Sequence, residues 1–302
     1  MSEIKKLILP AAGMGTRFLP LSKAVNKEFL PLADLPLIFY VVEEARLSGI
    51  EEIIFVLNES NKNLIDYFKP NLKLEKILDE RGQAECLENL RKAHKNFENI
   101  NFSFVLQPRP LGDGDAVLRA EKKVEKGAFA VAFFDDVFLA KTPALAQTAH
   151  IFSASQKTVV GLKKTSPEKF SHYGIVKTDK IAHNLYKIKD IVEKPKFNES
   201  ASDPVRNFIS NGADLAVCSR YIFNEEILRY LKKTPANQKG EIILAEALKM
   251  MLDDGKVIYG CEIEGEWLEC GNTQDWLMSN MLMCLRHEKY GQAMRETAKK
   301  IK

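Results

Sequence analysis

The sequence predicts an α/β fold built on a central sheet. Three observations carry that expectation. Between Leu7 and Asn58 an apolar strand, a small-residue loop, an amphipathic helix and a second strand follow in turn. Runs of strand length then alternate with helical periodicity to about residue 165. Beyond it, strands follow one another without regular helices between them, which marks a second half.

The elements read in order as follows. LILPAA (7–12) is a buried strand entering a loop. PLIFYVVEEARLSG (36–49) carries apolar residues at helical spacing, with Pro36 suited to the first turn and Gly49 to the stop. EEIIFVLN (51–58) is the next strand, and strand–helix–strand implies a parallel pair. The charged region 60–98 is mostly helical in pattern. FSFVLQ (102–107) is a third strand, followed by PRPLGDGD and a helix over AVLRAEKKVEKG. AFAVAFFDD (128–136) is a fourth strand closed by Asp135 and Asp136. PALAQTAHIFSASQ is a helix and TVVGLKKT (158–165) a strand. YGIVKTD, LYKIKDIVEKP and GADLAVCSRYIF are strands, NEEILRYLKK and GEIILAEALKMMLDDG helices, and VIYGCEI and EWLEC late strands. From TQDWLMSN onward the chain reads as a long helical tail. With no internal repeat and no low-complexity linker, residues 1–302 are expected to form one domain. Its parts are a nucleotide half (1–160), a half adding a second ligand (161–272) and the tail (273–302).

Composition narrows the function classes. The chain has 302 residues, 45% hydrophobic and 28% charged, enough for a substantial core. A net charge of +3, without a basic stripe bearing interleaved aromatics, argues against nucleic acid. No window approaches a membrane span. The five cysteines are odd in number and form no close pair, so they read as reduced thiols and place the protein in the cytoplasm. The five histidines are scattered, with no two at i, i+4.

The chemistry concentrates in the opening loop, AAGMGTRFLPLSKAVNKEFLP. Ligands bind parallel α/β sheets at the carboxyl ends of the strands, where this loop lies. Gly13 and Gly15 let backbone N–H groups approach a ligand closely. Arg17 offers a planar fork of donors for phosphate oxygens, and Lys27 a second cation. Together they suggest a polyphosphate site. A dinucleotide fingerprint is excluded because Phe18 stands where its third glycine would fall, and no Gly-Lys-Ser/Thr ends a P-loop. GMG alone is equally compatible with a tight turn.

The segment AAGMGTRFLP…NKEFLPLADLPLI resembles the signature of sugar-nucleotide pyrophosphorylases, most closely the bacterial UTP–glucose-1-phosphate uridylyltransferases. VLQPRPLGDGDAVL, FFDDVF, HYGIV, DIVEKPK, GEIILAEAL and ECGN follow in that family's order and spacing. The resemblance implies a Rossmann-like nucleotidyltransferase fold with a mixed, mostly parallel central sheet flanked by helices. It implies attack of glucose 1-phosphate on the α-phosphorus of UTP, giving UDP-glucose and pyrophosphate, with Mg²⁺ as cofactor. Gly13, Gly15, Thr16, Arg17 and Lys27 would hold the triphosphate and the departing pyrophosphate. Gln107 and Gly112 would contact the base, Gln107 through an amide that can both donate to and accept from uracil. The backbone at Ala12 and the carboxylate of Glu28 would serve the nucleoside. Glu193 would bind sugar hydroxyls, Lys194 the sugar phosphate, and Gly174 would let the sugar pack on backbone. Asp135 would be the Mg²⁺ ligand, with Asp136 turned to the other side of the strand. His172 and Tyr173 are read as packing.

Two departures stand out. GDGDA replaces the family's GLGHA, so Asp113 and Asp115 introduce acids where a polyphosphate is expected nearby. Glu269 replaces an aspartate in the ECGN segment, where a second metal-ligand role is expected of it. Cys270 is read as packing. Alternatives are the same chemistry with dTTP or another sugar 1-phosphate, and a non-catalytic nucleotide-sugar sensor. Trp276, Met281 and Met283 on the tail either dock on the chain's own core or form a homo-oligomer interface.

Overall fold

The computed structural model describes residues 4–124, 127–195 and 215–301. In chain order the strand β1 (Lys6–Ala11) leads into a loop of three short 3-10 turns and a tight ribbon, β2 (Pro31–Leu32) with β3 (Leu35–Pro36). Helix α1 (Leu37–Leu47) and strand β4 (Glu52–Leu57) follow. A ten-residue 3-10 stretch (Glu59–Phe68), α2 (Leu72–Glu80) and α3 (Ala84–Lys95) fill the charged region before β5 (Asn101–Leu106). Then come α4 (Asp113–Arg119), α5 (Glu121–Val124), β6 (Phe129–Ala132), β7 (Asp136–Leu139), α6 (Ala144–Ser155) and β8 (Val159–Lys164). The second half adds β9 (Gly174–Ala182), β10 (Leu185–Glu193), β11 (Leu215–Phe223), α7 (Glu226–Lys233), α8 (Leu244–Asp253), β12 (Tyr259–Glu262) and β13 (Glu266–Glu269). Helices α9 (Thr273–Arg286) and α10 (Gly291–Ala298) close the described chain. The expected strand GADLAVCSRYIF begins at 212, so its first three residues lie outside the described residues.

Among the described residues nine strands join one sheet in the order β5-β4-β1-β6-β11-β8-β12-β10-β9. Pairs β5–β4, β4–β1 and β1–β6 are parallel, as the βαβ pattern requires. Antiparallel β11 sits between β6 and β8, and also touches β9, while β8 pairs parallel with β12. The sheet is therefore mixed and runs through both halves.

The central strands β1, β4 and β6 read as continuous apolar runs because both faces are covered. Leu7, Leu9 and Ala11 point into one buried cluster with Val41 of α1 and Phe152 of α6. Ile8, Ile54 and Val131 point into the other, with Val117 of α4, Leu231 of α7 and Leu248 of α8. Among the described residues no helix is long and apolar enough to cross a membrane.

Two expectations change in detail. The fourth strand stops at Ala132; Phe134 and Asp135 make a turn, and Asp136 opens β7, which pairs with β13. The helical tail is two helices, broken at His287–Tyr290, where His287 Nδ1 accepts the N–H groups of Lys289 and Tyr290. Of the tail residues, Trp276 docks on the chain's own core: it is buried, its ring meets Phe18 edge-on at 6.1 Å and its Nε1 donates to the Pro31 carbonyl at 2.9 Å.

Candidate active site

The opening loop is folded back on itself and pinned from the far end of the chain. Gly15 adopts a left-handed conformation, φ +62°, and a Cβ there would stand 3.2 Å from Ser22 Cβ and 3.5 Å from Lys27 Cβ. Gly13 and Thr16 are exposed beside it, and nothing lies within 4 Å of where a Gly13 Cβ would be. Phe18 is the loop's buried anchor. Thr273 Oγ1 donates to the Arg17 carbonyl at 3.0 Å, and Arg17 Nη1 donates to the Gly271 carbonyl at 3.3 Å. The Arg17 guanidinium is thereby held over the Asp135 turn while staying exposed.

Lys27 Nζ meets Asp135 Oδ2 at 2.9 Å and lies 4.7 Å from the centre of the Phe134 ring. Burial works against the charged form of Asp135, but Lys27 and then Arg17 outweigh it and hold the carboxyl below its ordinary value. Asp136 goes the other way. Burial, then the Asp135 charge beside it, push its carboxyl up to about 7. Its Oδ1 accepts from Trp267 Nε1 at 2.8 Å. Two adjacent acids thus have different work: one faces two cations, the other is tied into the scaffold.

The turn carrying Asp135 rests on a buried ion pair that sequence reasoning missed. Arg220 of β11 is fully buried, and each of its five N–H groups has an acceptor. Nε and Nη2 engage the Glu44 carboxylate at 2.9 and 2.8 Å; Nη2 also reaches the Asp136 carbonyl at 2.7 Å. Nη1 donates to the carbonyls of Phe133 and Ser219, both at 3.1 Å. Glu44 Oε1 additionally accepts the Leu145 N–H at 2.9 Å. Glu44 sits on a helical face whose other members are apolar, and a lone acid in such a stripe is the signal that could have exposed it.

Across the site, β9 and β10 pair so that Glu193 lies opposite Gly174. A Cβ on Gly174 would come within 3.1 Å of Glu193 Oε2, so this glycine makes room for that carboxylate. Lys194 pairs with Glu193 at 2.7 Å, and its N–H donates to the Tyr173 carbonyl at 3.0 Å. Tyr173 packs its ring 4.9 Å from Trp267, and both it and His172, expected only to pack, border the cavity described next.

Arg17, Asp135, Gly174, Glu193, Lys194 and Glu269 line one cavity of about 610 Å³. Lys27 reaches its wall through Asp135. Lys169, missed in the sequence, lines it too and holds Glu269 Oε1 at 2.6 Å. The second oxygen, Glu269 Oε2, is buried without a partner among the described residues. Asp113 also faces the cavity. Its Oδ1 accepts from the N–H groups of Gly114 and Leu244, fixing the start of α8, and burial, with Glu193 adding, pushes its carboxyl up to about 6.

Ala12, Gln107 and Gly112 lie apart from that cavity, at the carboxyl ends of β1 and β5. Gly112 has a local reason to be glycine: φ is +98° and a Cβ would fall 2.3 Å from the Ile242 carbonyl oxygen. Glu28 is 1% exposed and turned inward, 3.4 Å from Asn61 Nδ2; burial pushes its carboxyl up to about 7. Cys270 is buried, and burial pushes its thiol up to about 12, so it is no nucleophile.

The arrangement can hold two anions end to end. Cations converge on the loop side, and a Glu–Lys pair closes the other. Residues 5–284 match the Nucleotidyl transferase family. The chain is 37% identical over 247 residues to the UTP–glucose-1-phosphate uridylyltransferase YngB of Bacillus subtilis (strain 168), covering 82% of this chain and 78% of that one. The structure of UTP-bound UGPase from Acinetobacter baumannii superposes with a TM-score of 0.86 at 30% identity, covering 99% of this chain and 100% of that one. A UDP-glucose pyrophosphorylase complexed with UDP-glucose gives a TM-score of 0.78 at 31% identity, covering 92% and 97%.

Proposed function

The chain belongs to the nucleotidyl transferase family, and from that premise we propose that it transfers a uridylyl group from UTP to glucose 1-phosphate, yielding UDP-glucose and pyrophosphate. The observation that carries the reading is the single cavity in which the Arg17–Lys27–Asp135 group faces the Glu193–Lys194 pair. A relative named as a uridylyltransferase and solved structures named UGPase and UDP-glucose pyrophosphorylase match over most of their own length.

The attacking phosphate oxygen is already ionised, so no general base is needed. The barrier is the approach of two anions, and the protein's part is alignment and charge neutralisation. Lys194 holds the sugar phosphate and Glu193 accepts from sugar hydroxyls. Gly13, Gly15 and Thr16 present the loop backbone to the triphosphate. Arg17 and Lys27 neutralise the α-phosphate and the pyrophosphate as the P–O bond breaks. Ala12, Gln107 and Gly112 serve the nucleoside, whereas Glu28, expected to serve it through its carboxylate, is buried and reaches the end of β1 only through Asn61.

The residues present suit Mg²⁺. Asp135 and Glu269 offer hard carboxylate oxygens on one cavity wall, and Glu269 Oε2 is buried and unpartnered. Among the described residues there is no cluster of three metal-binding side chains, and Mg²⁺ commonly takes one or two carboxylates with phosphate oxygens completing its shell. When bound it would supply Lewis-acid neutralisation of the triphosphate. We place the reaction in the cytoplasm, where the free cysteines stay reduced. Self-association through the exposed side chains Leu277, Met278 and Met281 of α9 is expected, and a monomer by light scattering at working concentration would remove it.

The direct test is pyrophosphate release with UTP, glucose 1-phosphate and Mg²⁺, with each omitted in turn. Release that requires all three is expected. Release with dTTP but not UTP would reassign the nucleotide, and binding without release across a panel of sugar phosphates would favour a sensor.

A further inference from the structure

Strands β1, β4 and β5 run parallel in register, so Ala12, Asn58 and Gln107 follow Ala11, Leu57 and Leu106 in one row. Asn58 Nδ2 ties the row together by donating to the Ala12 carbonyl at 3.1 Å. Gln107 is 5% exposed, and its amide nitrogen has two partners. Nε2 donates to the Gly112 carbonyl at 2.9 Å and to Asp115 Oδ2 at 2.8 Å. A carbonyl and a carboxylate can only accept. Both amide hydrogens are therefore consumed, which corrects the expectation that this amide also donates to the base, and the nitrogen cannot trade places with the oxygen. Among the described residues nothing donates to Gln107 Oε1. Arg119 Nε lies 3.3 Å from the same Asp115 oxygen.

We infer that Asp115 is a positioning residue that locks the Gln107 side chain as a hydrogen-bond acceptor, and so selects pyrimidine nucleotides bearing an N3–H, the uracil and thymine class, over cytosine. Uracil and thymine offer a donor at N3, whereas cytosine offers an acceptor there and would meet the Gln107 oxygen lone pair to lone pair. A freely turning glutamine could serve either base; this one cannot. The departure from the family's GLGHA to GDGDA is at this position a specificity device, and the acid points at an amide rather than at phosphate. The inference rests on the reading that Gln107 faces the base.

The test is the ratio of kcat/KM for UTP over CTP, with glucose 1-phosphate and Mg²⁺, paired with calorimetric binding of each nucleotide. The wild-type ratio is expected to be on the order of 10³ or more, because a site built around a substrate N–H rejects an analogue lacking it. In Asp115→Ala the ratio falls at least about tenfold, as one charged hydrogen bond that fixes the amide is lost. In Asp115→Asn the side-chain carbonyl still accepts from Gln107, and the ratio stays within about threefold of wild type. A helix-stabilising role alone would lower both activities together and leave the ratio unmoved. An unchanged ratio in Asp115→Ala, or equal losses in both variants, overturns the inference. Gln107→Ala tests the underlying reading separately. If that variant keeps the wild-type ratio, Gln107 is not at the base; if wild-type protein binds no UTP, the functional reading fails as well.

Discussion

Replacing Glu44 by glutamine removes one negative charge and almost no volume. Arg220 would keep its charge at 0% exposure, with no route to water. In either orientation the new amide nitrogen faces an Arg220 N–H, and in one of them the Leu145 N–H as well, where each now meets an acceptor oxygen. Breaking one side of a buried ion pair costs about 3–5 kcal/mol. With a urea slope of about 3 kcal/mol/M for a chain of this size, the unfolding midpoint falls by about 1 to 1.7 M. Arg220→Met alone is also destabilising, since it orphans the Glu44 carboxylate and the carbonyls of Phe133, Ser219 and Asp136. The double variant should lose less than the sum of the singles by about 2 kcal/mol. Turnover should fall in step, because those carbonyls flank the Asp135 turn. A midpoint shift equivalent to under about 1 kcal/mol for Glu44→Gln, or strict additivity in the cycle, would refute this reasoning.

Three further outcomes are expected. Asp135→Asn should abolish pyrophosphate release by at least about 10²-fold while the urea midpoint stays within a few tenths of a molar of wild type; retained turnover would remove Asp135 from the site. Lys194→Ala should raise the KM for glucose 1-phosphate about tenfold or more, and an effect confined to UTP would contradict its assignment. Glu28 ionises near pH 7 in the fold but near 4.5 when unfolded, so its burial costs nothing at low pH and its penalty grows as pH rises from about 4.5 to 7. Glu28→Gln should therefore gain about 2–3 kcal/mol on wild type between pH 5 and pH 8 in urea titrations, and a constant gap would show that Glu28 is not held neutral.

Local pattern carried the opening half of the fold. LILPAA, EEIIFVLN and the helix from Leu37 to Leu47 were legible because each declares its period and its stops within a dozen residues. The insertion of β11 between β6 and β8 was not, since an apolar run covered on both faces does not reveal its neighbours. The Asp135–Asp136 turn was hidden because AFAVAFFDD is apolar up to its acids, and only pairing with β13 shows that a new strand starts at Asp136. Residues whose partners lie far away in sequence were the ones overlooked. Glu44 meets Arg220, and Lys169 meets Glu269, across separations that no short-range pattern spans. Asp115 was seen as an oddity near phosphate, but its role became readable only once Gln107 stood 2.8 Å away.

The latch on the opening loop bears on how the protein is made. Arg17 meets Gly271 across a separation of 254 residues. Translation proceeds at roughly 5–20 residues per second, so the loop is made on the order of 10–50 s before the segment that fastens it. Throughout that interval its Arg17 and Lys27 have neither Gly271 nor, until the fourth strand is made, Asp135 to restrain them. The strand β1 can pair with β4 early, but the Arg17–Lys27–Asp135 side of the cavity is among the last features to mature. A nascent chain that stops before Gly271 would carry the family's most recognisable sequence and no finished site.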